Sequence, residues 1–170
     1  MEKCRNAGAG WALLHLTVCM PDVCAALGSA NGAATPAKYM AWCGRFLQGR
    51  RLTPIERYGM RCTVLHQAQA KTKGDAAQRY TSWAWVQPHG GQSDHMRVGG
   101  GAGRTLHIDV HMFAAEMESA VTVWTNDLAA NPTRPEAANV ATNLPSLVKV
   151  TQHMFEPQKG MGYVSMLKTN

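Results

Sequence analysis

Leu13, Leu16, Met20, Val23 and Leu27 recur at helical spacing, which predicts a first helix from about Gly10 to Leu27. Pro21 lies inside it and would remove one backbone bond, kinking the helix or splitting it in two. Gly28-Ser-Ala-Asn-Gly32 reads as a loop. Thr35-Pro36 is a cap followed by a first-turn proline, so a second helix should run to about Leu47. Tyr39, Met40, Cys43, Phe46 and Leu47 form its apolar stripe. After a short basic turn, Thr53 and Glu56 make a capping box with Pro54 at the first helical position. A third helix should therefore begin at Thr53 and reach about Gln67. So short a connection predicts antiparallel packing of the second and third helices.

Beyond Gln69 the period changes. AKTKGDAAQ is polar, whereas TSWAWVQP alternates as a strand with Trp83 and Trp85 on one face. PHGGQSD and GGGAG are turn chemistry; HMRV and RTLHIDV are strand candidates, together a hairpin or flap over residues 80–108. Asp109 should cap a fourth helix with Val110, Phe113, Met117, Val121 and Trp124 on one stripe, ending near Asn126. NPTRPEAAN reads as a linker, and LPSLVKV and MGYVSML as short β-like runs. The expected fold is mainly α: a four-helix bundle over residues 10–126 with a small β flap. A loose arm covers residues 1–9, and residues 127–170 form a linker and C-terminal β-like extension packed on the same domain.

With 170 residues, the chain is sized for one domain with its own core. The net charge of +6 is unevenly spread: eleven Lys/Arg and three acids lie between Lys38 and Arg104. Such a concentration suits an anionic polymer, although solvated basic faces are commoner. Five cysteines (4, 19, 24, 43, 62) form no C-x-x-C and no zinc-finger spacing, and the odd number argues against a full disulfide framework. Two early basic residues before an apolar stretch resemble a signal peptide. His15 interrupts that stretch, however, and no small-x-small cleavage site follows. The expectation is a cytoplasmic chain with no membrane span and no membrane partner.

Arg61 and His66 stand five residues apart in RCTVLH, about 140° apart around an ideal helix. An arginine followed after four residues by a histidine, on a helix of a small helical protein, resembles the signature of HEPN-type domains. PDVCAALGSANG, the KY-x-x-WC segment, RCTVLHQ and TLHIDVHMFAAEMESAVTVW resemble, in the same order, a group of small uncharacterised bacterial proteins. The resemblance spans roughly residues 12–150. It implies metal-independent RNA cleavage by a homodimer, in a defence or toxin-type setting. Where the family pattern often has Asn, Asp or His after the arginine, this chain has Cys62.

The residue chemistry agrees with that class. RNA carries its own nucleophile, the 2′-hydroxyl, so no metal or other cofactor is required. A histidine can take that proton or protonate the leaving oxygen, and an arginine can hold the phosphate and the charge that develops on it. Arg61 and His66 are therefore the expected catalytic pair, with Gln67, Tyr58, Arg57, Arg50 and Arg51 as the substrate-binding set. RNA and a second copy of the chain are the expected partners. The alternative is a non-catalytic dimerisation or partner-binding module. A third option, a metal-dependent hydrolase using His107 and His111 with Asp109 and Glu116, is weaker because His107 precedes the helix cap. Gly99–Gly103 lacks the lysine and the serine or threonine of a phosphate loop.

Overall fold

The computed structural model describes residues 1–48, 51–67, 79–86, 95–99 and 104–155. In chain order these form α1 (Glu2–Asn6), α2 (Gly10–Leu27), α3 (Pro36–Phe46), α4 (Pro54–Gln67), β1 (Ser82–Val86), β2 (Arg97–Gly99), β3 (Thr105–Asp109), α5 (Val110–Ala130) and α6 (Pro135–Phe155). The chain is mainly helical with a small three-stranded sheet, and its six described helices exceed the four expected for a bundle.

α2 is the spine, touching α1, α3, α4, α5 and α6. Its N-terminal half (Leu13, Leu14, Val18) enters one core cluster with Met60 and Val64 of α4, Trp83, Leu106 and Ile108 of the sheet, and Phe113 of α5. Its C-terminal half (Cys24, Leu27) enters a second with Tyr39, Trp42 and Cys43 of α3 and Met117 and Trp124 of α5. Serving two cores on different sides leaves α2 apolar nearly all round. Pro21 is buried and does not split the helix. The Thr17 hydroxyl donates to the Leu13 carbonyl at 2.7 Å.

The capping box at Thr53 forms as expected. The Glu56 carboxylate accepts from the Thr53 amide at 2.7 Å, and the Glu56 amide donates back to the Thr53 hydroxyl at 3.3 Å. Thr35 caps α3 by accepting from the Lys38 amide at 3.2 Å. Tyr39 meets Tyr58, and Gly44 faces Pro54, so position numbers rise along α3 as they fall along α4. That is the antiparallel arrangement the short connection implied.

Four expectations change. The flap is more than the hairpin expected: β2 and β3 pair antiparallel as one (Arg97↔His107), and β3, between the other two strands, also pairs parallel with β1 (Ser82↔Thr105 to Val86↔Asp109). Leu106 and Ile108 are fully buried, and the strand presenting them takes the centre. Residues 1–9 are not wholly a loose arm, because α1 is pinned by an Arg5–Glu118 ion pair at 2.6 Å and by packing of Met1. α5 extends past Asn126 to Ala130, with Asn131 donating back to the Asp127 carbonyl at 2.8 Å. LPSLVKV is helical within α6. Pro135 opens that helix; Asn139 and Asn143, one turn apart, donate to the carbonyls of Gly28 (2.9 Å) and Leu27 (3.0 Å). A strand would have put those two amides about 13 Å apart, at about 3.3 Å per residue. MGYVSML lies outside the described residues.

By length and composition α2 is long and apolar enough to cross a membrane, contrary to expectation. It has 18 residues of mean hydropathy 1.4, half of them buried inside this fold.

Candidate functional site

Arg61 and His66 lie on α4, whose N-terminal cap sets the helix start and so the direction of both side chains. An ideal helix would separate them by about 140°, but the long arginine side chain closes the gap. Its Nη1 lies 3.1 Å from His66 Nε2. A guanidinium has no acceptor, so Arg61 is the donor and Nε2 carries the lone pair. The ring proton of the neutral histidine is thereby assigned to Nδ1.

The other end of Arg61 is held from α2. Its Nε donates to Asp22 Oδ2 at 2.7 Å, with each side chain about one-fifth exposed. Partial burial opposes the Arg61 charge, but the hydrogen bond and charge of Asp22 outweigh it and hold the guanidinium above its ordinary value, with Cys62 adding to the effect. The neighbouring Cys62, followed by partial burial, raises the Tyr58 phenol. Burial first, then the Asp22 charge, raise the Cys19 thiol, partly offset by Arg61. The cluster is thus Asp22 and Cys19 from α2 against Tyr58, Arg61, Cys62 and His66 from α4, with His66 exposed to solvent.

The remaining expected residues scatter. Arg57 is almost fully buried, so it faces the core rather than a substrate. Its Nη2 is 3.5 Å from Glu116, its guanidinium lies over the Phe113 ring at 5.5 Å, and its Nε and Nη1 have no hydrogen-bond partner among the described residues. Glu116 turns inward and also meets His95 at 3.4 Å. Arg51 is exposed in the turn before α4, where its carbonyl accepts from Arg79. Arg50 and the side chain of Gln67 lie outside the described residues.

The basic concentration is also less bare than its composition suggests. Arg45 is paired with Asp127 and Glu136, Arg57 with Glu116, Arg61 with Asp22, and Arg79 with Glu56. Most of those acids come from outside the basic segment, which a count along the chain cannot reveal. His107 is on β3 and His111 in the first turn of α5. Among the described residues no group of three or more His, Cys, Asp or Glu side chains is placed to hold a metal ion.

No protein-family model, curated protein or solved structure matches this chain. The likeness to HEPN-type domains therefore rests on the residues quoted for it.

Asp22 is the residue that sequence reasoning missed. Its signal was present: one acid, directly after Pro21, on a helix otherwise free of charge. A charge retained in such a helix needs a partner, and the partner had already been singled out on another helix.

Proposed function

We propose that this chain is a metal-independent endoribonuclease, or an RNA-binding relative of one, that acts as a cytoplasmic homodimer through Arg61 and His66. The observation that carries the reading is the 3.1 Å contact between Arg61 Nη1 and His66 Nε2 at an exposed position, with Arg61 anchored by Asp22 behind it. A phosphate is a stronger acceptor for a guanidinium than an imidazole is. An arriving phosphodiester would draw Nη1 to itself and release the Nε2 lone pair beside the substrate. His66 Nε2 then takes the proton of the 2′-hydroxyl, and the 2′-oxygen attacks phosphorus. The bond to the 5′-oxygen breaks, leaving a 2′,3′-cyclic phosphate. The departing 5′-oxygen needs a proton, and one Arg–His pair offers one histidine, so the same histidine of a second copy supplies it across a two-fold axis.

The reading predicts that a 2′-deoxy substitution at the cut blocks cleavage without blocking binding. Cleavage of the deoxy-substituted strand would refute it.

A second reading, a non-catalytic partner-binding module, is favoured by a different observation. Trp11, Leu16 and Val23 of α2 are exposed at 49, 45 and 37%, and Leu16 and Val23 lie within about 20° of each other around the helix. A pure binding module would show no turnover on any RNA and would keep its association in His66→Ala.

A further inference from the structure

Phe113 and Glu116 sit about one turn apart on α5, and three other elements bring side chains to that turn. Arg57 of α4 lays its guanidinium over the Phe113 ring at 5.5 Å and reaches Glu116 Oε2 at 3.5 Å. Trp85 of β1 packs against the same ring, with centroids 6.4 Å apart. His95, just ahead of β2, meets the other Glu116 oxygen at 3.4 Å. The place is interior, since Arg57 is only 2% exposed, and it is separate from the solvent-facing His66.

Donors outnumber acceptors there. Nε and Nη1 of Arg57 and Nε1 of Trp85 are buried and have no hydrogen-bond partner among the described residues. A buried donor left unpaired costs about 1–3 kcal/mol, and more on a charged group, so each orphan needs an explanation. Trp42 and Trp83 also carry orphan indole N–H groups; an indole alone therefore does not mark a site. The cation sets this turn of α5 apart. Glu116 reaches the guanidinium through Nη2 alone, at 3.5 Å, which is long for a hydrogen bond. A trapped water could accept from the other nitrogens but would bring no charge to offset the buried one.

We propose that this interior holds a small carboxylate, bound by the guanidinium of Arg57 and the indole N–H of Trp85. The site is independent of the ribonuclease reading. A guanidinium matches the two oxygens of a carboxylate, and the rings of Phe113 and Trp85 suit a short apolar body. Glu116 sets the charge of the ligand. It already shares the guanidinium, so a second carboxylate can be accommodated, whereas a dianion such as hydrogen phosphate meets stronger repulsion.

The test is ¹H–¹⁵N NMR of the full chain, dialysed into chloride and titrated with sodium acetate, then with phosphate at pH 8, at constant ionic strength. The Arg57 Nε–H and Trp85 indole signals are assigned by their loss in Arg57→Lys and Trp85→Phe. Both should move saturably with acetate in wild type, while the Trp42 indole of the second core stays in place. Acetate affinity should fall by about tenfold in Arg57→Lys, which loses the fork, and by about fivefold in Trp85→Phe, which loses one hydrogen bond. Trp85→Phe keeps a ring against Phe113, so it decides the matter even if circular dichroism shows Arg57→Lys unfolded. A chain that retains its ligand through dialysis should instead release one carboxylate per chain on denaturation, read by ion chromatography. No saturable shift together with no released carboxylate overturns the proposal. So does phosphate binding as tightly as acetate, or acetate affinity unchanged in Trp85→Phe.

Discussion

Breaking the Asp22–Arg61 tie tests how the pair is held. Both side chains are about one-fifth exposed, and the Nε–Oδ2 distance is 2.7 Å. Fully exposed pairs couple by roughly 0.2–1 kcal/mol, whereas a buried hydrogen bond to a charged group contributes about 1.5–3 kcal/mol. This partly buried, well-aligned bond falls between, near ~1 kcal/mol. Asp22→Ala, Arg61→Ala and the double variant, unfolded in urea, should give a coupling energy of that size. For a chain of this length it corresponds to a shift of about 2–4 °C in Tm. Asp22→Ala should also loosen the Arg61–His66 contact, seen as a change in the ¹⁵N shifts of the His66 ring while Arg61 is still present. Independent sites are additive to within about 0.3–0.5 kcal/mol. A coupling inside that margin, with unchanged His66 shifts, would refute Asp22 as the support of Arg61.

The other predictions concern the scaffold. Arg57→Met removes the guanidinium that faces Glu116 across the core and should destabilise by about 3 kcal/mol; adding Glu116→Gln should recover part of the loss in the same denaturation assay. Thr53→Ala deletes the hydroxyl side of the capping box and should cost about 1 kcal/mol, read as a lower urea midpoint. Burial pushes the Cys24 and Cys43 thiols up to about 12 from an ordinary 9.0. Both raised values mean the folded state keeps protons that the unfolded chain loses. Stability should therefore be at its full level below pH 9 and fall as pH rises towards 12, by up to about 1.4 kcal/mol per pH unit for each thiol. At pH 8 an alkylating reagent should reach half-buried Cys4 and Cys62 before either of them, as mass spectrometry of digests would show.

Local signals were legible where the chain itself closes the bonds. The Thr35 and Thr53 caps, the Asp109 cap and the span of α2 all depend on neighbours within a turn or two, and all appear at the expected places. The sheet order was not legible, because strand pairing depends on which strand buries its inward residues. Leu106 and Ile108 outcompete the short Arg97–Gly99 segment for the central position. LPSLVKV looked β-like when read alone, but it continues α6, whose earlier turns are tied by Asn139 and Asn143 to carbonyls more than a hundred positions earlier. The same kind of distance hid Asp22 from Arg61 and turned Arg57 and Glu116 inward. The Arg–His spacing was visible, but the acid that anchors it belonged to another helix.

The central test is incubation of wild type and His66→Ala with mixed RNA in excess EDTA, with circular dichroism on both. Cleavage by wild type alone, with matching spectra, is the expected result and assigns the proton transfer to His66. Cleavage by both proteins, or by neither over a range of RNAs, would contradict a nuclease built on Arg61 and His66.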